Sequence, residues 1–247
     1  MAPTDPLAEF RLDGDVAVVT GGASGIGRVV ATAFAAVGAR VAIFDLAARG
    51  DDAYAVDVAD ETQVTAACAK VVARYGRLDI LFNNAGIAIR RPTIDLTLDD
   101  WNRVVAVNMT GVFLCAREAA RHMLAGGRGG RIVNTASIMG FSGGGLYPNV
   151  SYQATKGAVV NMTRALAVEW ASQGIRVNGI APTWVRTPLT RSITDRPELV
   201  RRIEQMTPLG RLAEPHEMVG AVLFLASRAS AMVTGHVLAI DGGFLAQ

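Results

Sequence analysis

Tyr152 and Lys156 stand four residues apart in the stretch SYQATK. On a helix, that spacing puts both side chains on one face. A phenol is a poor base near neutral pH because its reference pKa is about 10. A neighbouring ammonium favours the phenolate and lowers that value. Lowering it by roughly three units takes about 4 kcal/mol, an effect reached only where water is partly excluded. The pair therefore reads as a proton-transfer device, with the tyrosine as acid/base and the lysine as its electrostatic partner. Composition singles out the same lysine: lysines and arginines total 24, and Lys70 and Lys156 are the only two lysines. Lysine is a compact point charge, whereas arginine is a wide planar fork. A relay that must also hold a small hydroxyl suits the compact group.

A second stretch, TGGASGIG from Thr20 to Gly27, follows the β-branched run VAVV and precedes a helical pattern. Its glycines at 21, 25 and 27, with Gly22 as an extra, do not fit the spacing G-x-G-x-x-G. The physics of a phosphate cradle is nevertheless present. Glycines let the backbone turn sharply and approach a pyrophosphate. The helix start presents free N–H groups and a positive dipole end. Ser24 and Thr20 offer hydroxyls. Asp45 ends the next strand pattern, RVAIFD, where a ribose-binding acid belongs. Its charge would accept from the 2′- and 3′-hydroxyls and repel a 2′-phosphate, which favours NAD. Arg49, close behind, leaves NADP open.

The elements that must position these groups alternate along the chain. Strand patterns are VAVVTG, RVAIFD, AYAVDV, LDILFNNAG, GRIVNTAS, IRVNGIAP and HVLAIDGG. Helical spacing fills the intervals, including a long pattern over 97–125, another over 151–174 and a third over 214–227. Asp60, three residues before Gln63, is placed to cap the second helix. Apolar strands alternating with helices predict an α/β fold: a single-domain, Rossmann-like, doubly wound parallel sheet of about seven strands with helices on both faces. One dinucleotide-binding and catalytic domain is expected over 1–247, with a substrate loop and small helices near 183–212.

The net charge of +2 gives no argument for nucleic acid or an anionic membrane. The longest uncharged stretch, between Arg131 and Lys156, is too rich in Gly, Ser, Asn and Pro to span one. The opening MAPTDPLAEF lacks the basic start of a secretory signal, so a cytoplasmic location is expected. Cys68 and Cys115 fall in helical patterns and read as buried free thiols. His122, His216 and His236 lack metal-ligand spacing.

Taken together, these motifs resemble the short-chain dehydrogenase/reductase family along nearly the whole chain. TGGASGIG resembles its T-G-x-x-x-G-x-G turn, NNAG (Asn83–Gly86) its fourth-strand motif, and SYQATK its Y-x-x-x-K pair. Ser137, Asn108 in VNMTG and the late DGG complete the pattern. The resemblance implies that Tyr152 is the general acid/base, that Ser137 polarises the reacting oxygen, and that Lys156 tunes the phenol and holds the nicotinamide ribose. It implies that Asn108 anchors a water linking Lys156 to solvent. Gly21, Ser24, Gly25, Ile26, Gly27 and Asp45 would hold the pyrophosphate and adenosine ribose. Asp57 and Val58 would meet the adenine, Asn84, Ala85 and Gly86 would line the cleft, and Val185 and Thr187 would contact the carboxamide. A homotetramer is also implied, with no resident catalytic metal. Some relatives hold Mg2+ near the C-terminus, which Gln247 makes conceivable here.

Three departures stand out. Ser137 precedes Tyr152 by fifteen residues, with Ser142 as a rival. That longer spacing, together with RPELVRRIEQMTPLGRLAEP, resembles galactitol- and arabinitol-type polyol and sugar dehydrogenases. The usual P-G after the sixth strand is Pro182-Thr183-Trp184, where the indole would narrow the cleft. Asp45 to Asp57 leaves too little chain for a crossover helix. Loop 138–150 offers Met139, Phe141, Leu146, Tyr147 and Asn149 without charge, which suits a neutral alcohol or ketone. Arg90 and Arg91 lie near the NNAG turn. The expectation is NAD-dependent interconversion of a secondary alcohol and a ketone on a polyol, sugar or hydroxy-ketone. A 3-oxoacyl-thioester reductase is the alternative, and a non-catalytic cofactor-binding regulator is a third reading.

Overall fold

A computed structural model describes residues 5–247. Seven parallel strands form one sheet in the order β3-β2-β1-β4-β5-β6-β7. They are β1 Val16–Thr20, β2 Arg40–Asp45, β3 Ala53–Ala55, β4 Ile80–Asn83, β5 Gly130–Thr135, β6 Ile175–Pro182 and β7 Val237–Ile240. The helices are α1 Gly25–Ala36, α2 Glu61–Tyr75, α3 Leu98–Val105, α4 Gly111–Ala125, α5 Val150–Trp170, the single turn α6 Arg191–Thr194, α7 Pro197–Met206 and α8 Val219–Ala226.

The period-two geometry of a strand explains the two cores. Val16 and Val18 of β1 face one side, packed with Phe44, Val71, Leu114 and Ala119 under α2 and α4. Ala17 and Val19 face the other, packed with Val30 and Phe34 of α1 and Leu225 of α8. Every β1 residue is buried, as a strand covered on both faces requires. A third apolar cluster lies beyond the carboxyl ends of β5 and β6, where Ile138, Met139 and Leu146 meet Trp184, Ile193, Ile203 and Phe244.

The connection from β2 to β3 carries no helix, yet the strands pair in parallel, Ile43 opposite Ala53 and Asp45 opposite Ala55. Asp60 caps α2 through the Gln63 N–H at 3.1 Å, as its position predicts. The long pattern over 97–125 departs from a plain α-helix. α3 and α4 are joined by a π-helical segment, Ala106–Thr110, which holds Asn108. Such bulges are frequent at functional sites. Among the described residues, no helix is long and apolar enough to cross a membrane.

Candidate active site

A cleft of about 250 Å³ runs along the carboxyl ends of β1, β2 and β4. It is lined by Gly21, Ser24, Gly25, Ile26, Asp45, Asp57, Val58, Asn84, Ala85, Gly86 and Thr187. Gly27 and Val185, expected on its wall, lie behind it. A Cβ on Gly27 would sit 2.2 Å from the Gly21 carbonyl oxygen, so Gly27 allows the turn to close onto α1. Val185 is buried against Ala213 and Met218, and its carbonyl accepts from Thr190 Oγ1 at 2.5 Å. Gly21 has φ +63°, and a Cβ there would meet the Ala85 Cα at 2.9 Å. This close approach of backbone to backbone is what admits only glycine.

Thr20 does not offer its hydroxyl to a phosphate. Its Oγ1 accepts from the backbone N–H of Asn84 at 2.9 Å and of Ala85 at 3.0 Å, fastening β1 to the NNAG turn. Ser24 stands at the N-cap of α1, its side chain making no capping bond, and lines the cleft. Asp45 accepts from Ala23 N–H at 3.1 Å and from Ala47 N–H at 2.9 Å, which fixes its carboxylate beside the glycine turn. Leu46, Ile87 and Val107 also line the cleft and escaped the sequence reading. A detectable signal existed for Leu46, an apolar residue following a strand-end acid and 75% exposed. Glycine turn, free helix N-terminus and strand-end acid together fit a dinucleotide.

Leu189 also borders a smaller cavity of about 40 Å³, lined by Ser137, Met139, Tyr147, Asn149, Tyr152, Thr183, Trp184, Thr190 and Arg90. Ser137, two residues beyond β5, shares the cavity wall with the Tyr152 phenol, and its Oγ accepts from Met139 N–H at 3.1 Å. The rival Ser142 only accepts from Gly144 N–H in its own turn. Trp184 Nε1 donates to the Tyr147 hydroxyl at 2.9 Å, and its ring packs edge-on against Phe244. The indole thus narrows the cavity as the missing glycine suggested.

The electrostatics differ from expectation. Burial pushes the Tyr152 phenol up to about 12, and the nearby Ser137 hydroxyl and Arg90 charge only partly oppose it. Lys156 is buried and donates to the Thr135 carbonyl at 2.6 Å. Its ammonium lies 5.5 Å from the centre of the tyrosine ring, over the ring instead of beside its oxygen. Burial also brings Lys156 down to about 8. In the protein alone, desolvation outweighs the ammonium, and the lowered phenol pKa expected from the spacing is absent.

Lys156 Nζ lies 3.8 Å from where a Cβ would stand on Gly86, so it reaches the cleft side as well. Asn108 is fully buried and spends its amide on Ile87, accepting from its N–H at 2.8 Å and donating to its carbonyl at 2.9 Å. It holds the segment after NNAG in place. Gln247 donates to the Met206 carbonyl at 2.7 Å, and among the described residues no group of three or more His, Cys, Asp or Glu could hold a metal ion.

The family model described as enoyl-(acyl carrier protein) reductase matches residues 21–245. The chain belongs to the short-chain dehydrogenase/reductase family. It is 44% identical to the D-threitol dehydrogenase of Mycolicibacterium smegmatis over 96% of its own length and 95% of that protein's. It is 44% identical to the galactitol 2-dehydrogenase (L-tagatose-forming) of Cereibacter sphaeroides, over 95% and 96% of the two chains. A solved gluconate 5-dehydrogenase from Burkholderia cenocepacia, in complex with NADP and tartrate, superposes with a TM-score of 0.92 at 39% identity, covering 98% of this chain and 100% of that one. This short-chain dehydrogenase/reductase is an oxidoreductase acting on CH–OH groups.

Proposed function

We propose that the protein interconverts a secondary alcohol and a ketone of a polyol, sugar or related hydroxy-ketone, with NAD as the preferred cofactor. The observation that carries the reading is the adjacency of two cavities. One holds the Ser137–Tyr152 pair, the other holds Asp45 and the glycine turn, and Leu189 borders both. When bound, the nicotinamide supplies hydride transfer at the substrate carbon. The protein's own groups manage the oxygen. Tyr152 Oη gives a proton to the carbonyl oxygen in reduction and takes it from the alcohol in oxidation. Ser137 donates a hydrogen bond to that oxygen. Lys156, which reaches the cleft side beside Gly86, would hold the nicotinamide ribose, and Asn108 keeps the Ile87 segment in place. The Asp45 carboxylate supports NAD by repelling a 2′-phosphate. Thr187 lines the carboxamide end of the cleft, and Val185 supports it from behind through its carbonyl bond to Thr190.

A phenol held near 12 is neutral at pH 7, the form suited to reduction. Oxidation should therefore quicken as pH rises from 7 toward 10. Initial rates of NADH formation across polyols, sugars, hydroxy acids, diols and a 3-hydroxyacyl thioester test the substrate reading. Tyr152→Phe should keep cofactor affinity and lose about 10²–10⁴-fold in turnover. Unchanged turnover in that variant rejects the proton-transfer role. The location proposed is the cytoplasm and the assembly a homotetramer. Phe113 on α4 and Val168 on α5 are exposed apolar residues on the two helices that would pair, and light scattering measures the state.

A further inference from the structure

The substrate cavity is not neutral. Arg90 and Arg91 are neighbours with different fates. Arg91 pairs with Asp100 at 2.6 Å. Among the described residues Arg90 has no carboxylate partner, and its guanidinium lines the cavity 5.3 Å above the Tyr147 ring. Two long contacts steady it, to Leu189 O at 3.3 Å and Ser192 Oγ at 3.4 Å, and its Nε is buried without a partner. Two more polar atoms in the same wall are buried and unpaired, Asn149 Oδ1 and Thr183 Oγ1. Asn149 is 4% exposed. Buried polar atoms are normally satisfied; among the described residues nine are not, four of them arginine Nε atoms, and three of the nine gather on the wall of this one small cavity. The set is one planar cationic donor, one amide acceptor and one hydroxyl.

We infer that the substrate is a hydroxy acid, whose carboxylate is clasped by Arg90 and whose hydroxyls meet Asn149 and Thr183. The inference rests on the alcohol-oxidation reading above and narrows its substrate class. A guanidinium fork matches a carboxylate in two parallel bonds, which an alcohol cannot reproduce. The aromatic platform of Tyr147, itself fixed by Trp184, holds the fork in one plane and lowers the ordering cost of binding. Arg90 is thus a specificity-determining residue. It lines the same cavity as Ser137 and Tyr152, and its charge acts on the phenol, so a carboxylate held there brings the substrate into the cavity of the Ser137–Tyr152 pair.

The test needs no turnover. Alcohols do not react with reduced cofactor, so the protein saturated with NADH, or NADPH if that binds more tightly, is titrated calorimetrically with two matched pairs: D-threonate against D-threitol, and D-gluconate against D-glucitol. Members of a pair share their carbon skeleton and differ by a carboxylate in place of a hydroxymethyl group. The expected result is that the acid of at least one pair binds about tenfold or more tightly than its alcohol, and that 0.5 M KCl narrows the gap. Arg90→Met should weaken the acid about 10- to 100-fold, the range for charge-assisted hydrogen bonds, and Arg90→Lys should give an intermediate loss. Equal binding of acid and alcohol to the unaltered protein overturns the inference, whether or not either variant folds. A variant that weakens both members equally also overturns it, because Arg90 would then only prop the Tyr147 ring. Because the titration is independent of catalysis, a failure of the alcohol-oxidation reading would appear separately, in the rate panel.

Discussion

Replacing Lys156 by methionine should stabilise the protein while abolishing its turnover. Lys156 is 3% exposed, and its ammonium has one hydrogen-bond partner, the Thr135 carbonyl. Burial moves its pKa from 10.5 to about 8. At 1.36 kcal/mol per unit, that displacement means the charged side chain costs the native state about 3 kcal/mol. Losing the Thr135 bond offsets about 1 kcal/mol, which leaves a net gain near 2 kcal/mol. Methionine has similar length and fills the same space without a charge. For a chain of this size the gain corresponds to roughly 4–8 °C in Tm. The pH dependence gives the sharper signature. The folded pKa lies below the unfolded one, so below pH 8 both states carry the charge and the cost is full. Between about pH 8 and 10.5 the native state holds fewer protons, and wild-type stability climbs relative to the variant. Urea unfolding of both proteins at pH 7 and pH 10, at one fixed protein concentration, measures the difference. A variant no more stable than wild type at pH 7 would refute the reasoning. So would a gap between the two proteins that fails to narrow toward pH 10.

Two further perturbations address the cofactor cleft. Asp45→Asn removes the charge and leaves one acceptor oxygen where two now serve, Oδ2 for Ala23 N–H and Oδ1 for Ala47 N–H, so it also gives up one of these contacts. The ratio of kcat/KM for NADP over NAD should rise about tenfold, as steady-state rates will register. Gly27→Ala would force a Cβ to within 2.2 Å of the Gly21 carbonyl, so cofactor affinity should fall more than tenfold and stability by about 1–3 kcal/mol. Fluorescence titration with NADH and a melting curve on the same sample would separate the two losses.

Local pattern and long-range packing were unequally legible. The alternation of Val16 and Val18 with Ala17 and Val19 specifies a strand buried on both sides, and the sheet follows from repeating that pattern. The four-residue step from Tyr152 to Lys156 places both on one helix face. The short link after Asp45 was readable from chain length alone. What could not be read depends on partners distant in sequence. Thr20 looked available to a phosphate, but its hydroxyl is taken by Asn84, 64 residues away. The sequence places Arg90 only near the NNAG turn, and the fold sets it above Tyr147. The direction of the Tyr152 shift depends on how much water the assembled site excludes, which spacing does not encode. The orphaned atoms of Asn149 and Thr183 could be found only after everything around them had been paired.

Tyr147, Trp184 and Phe244 come from three separate parts of the chain, yet each depends on the next, the phenol on the indole and the indole on the terminal ring. Contacting residues of this kind do not substitute independently. A descendant enzyme that shrank the indole would strand a hydroxyl at one end and expose a benzyl group at the other. New tastes in this lineage should then be inherited as triplets, and single-site screening of the wall would pass over the combinations that work.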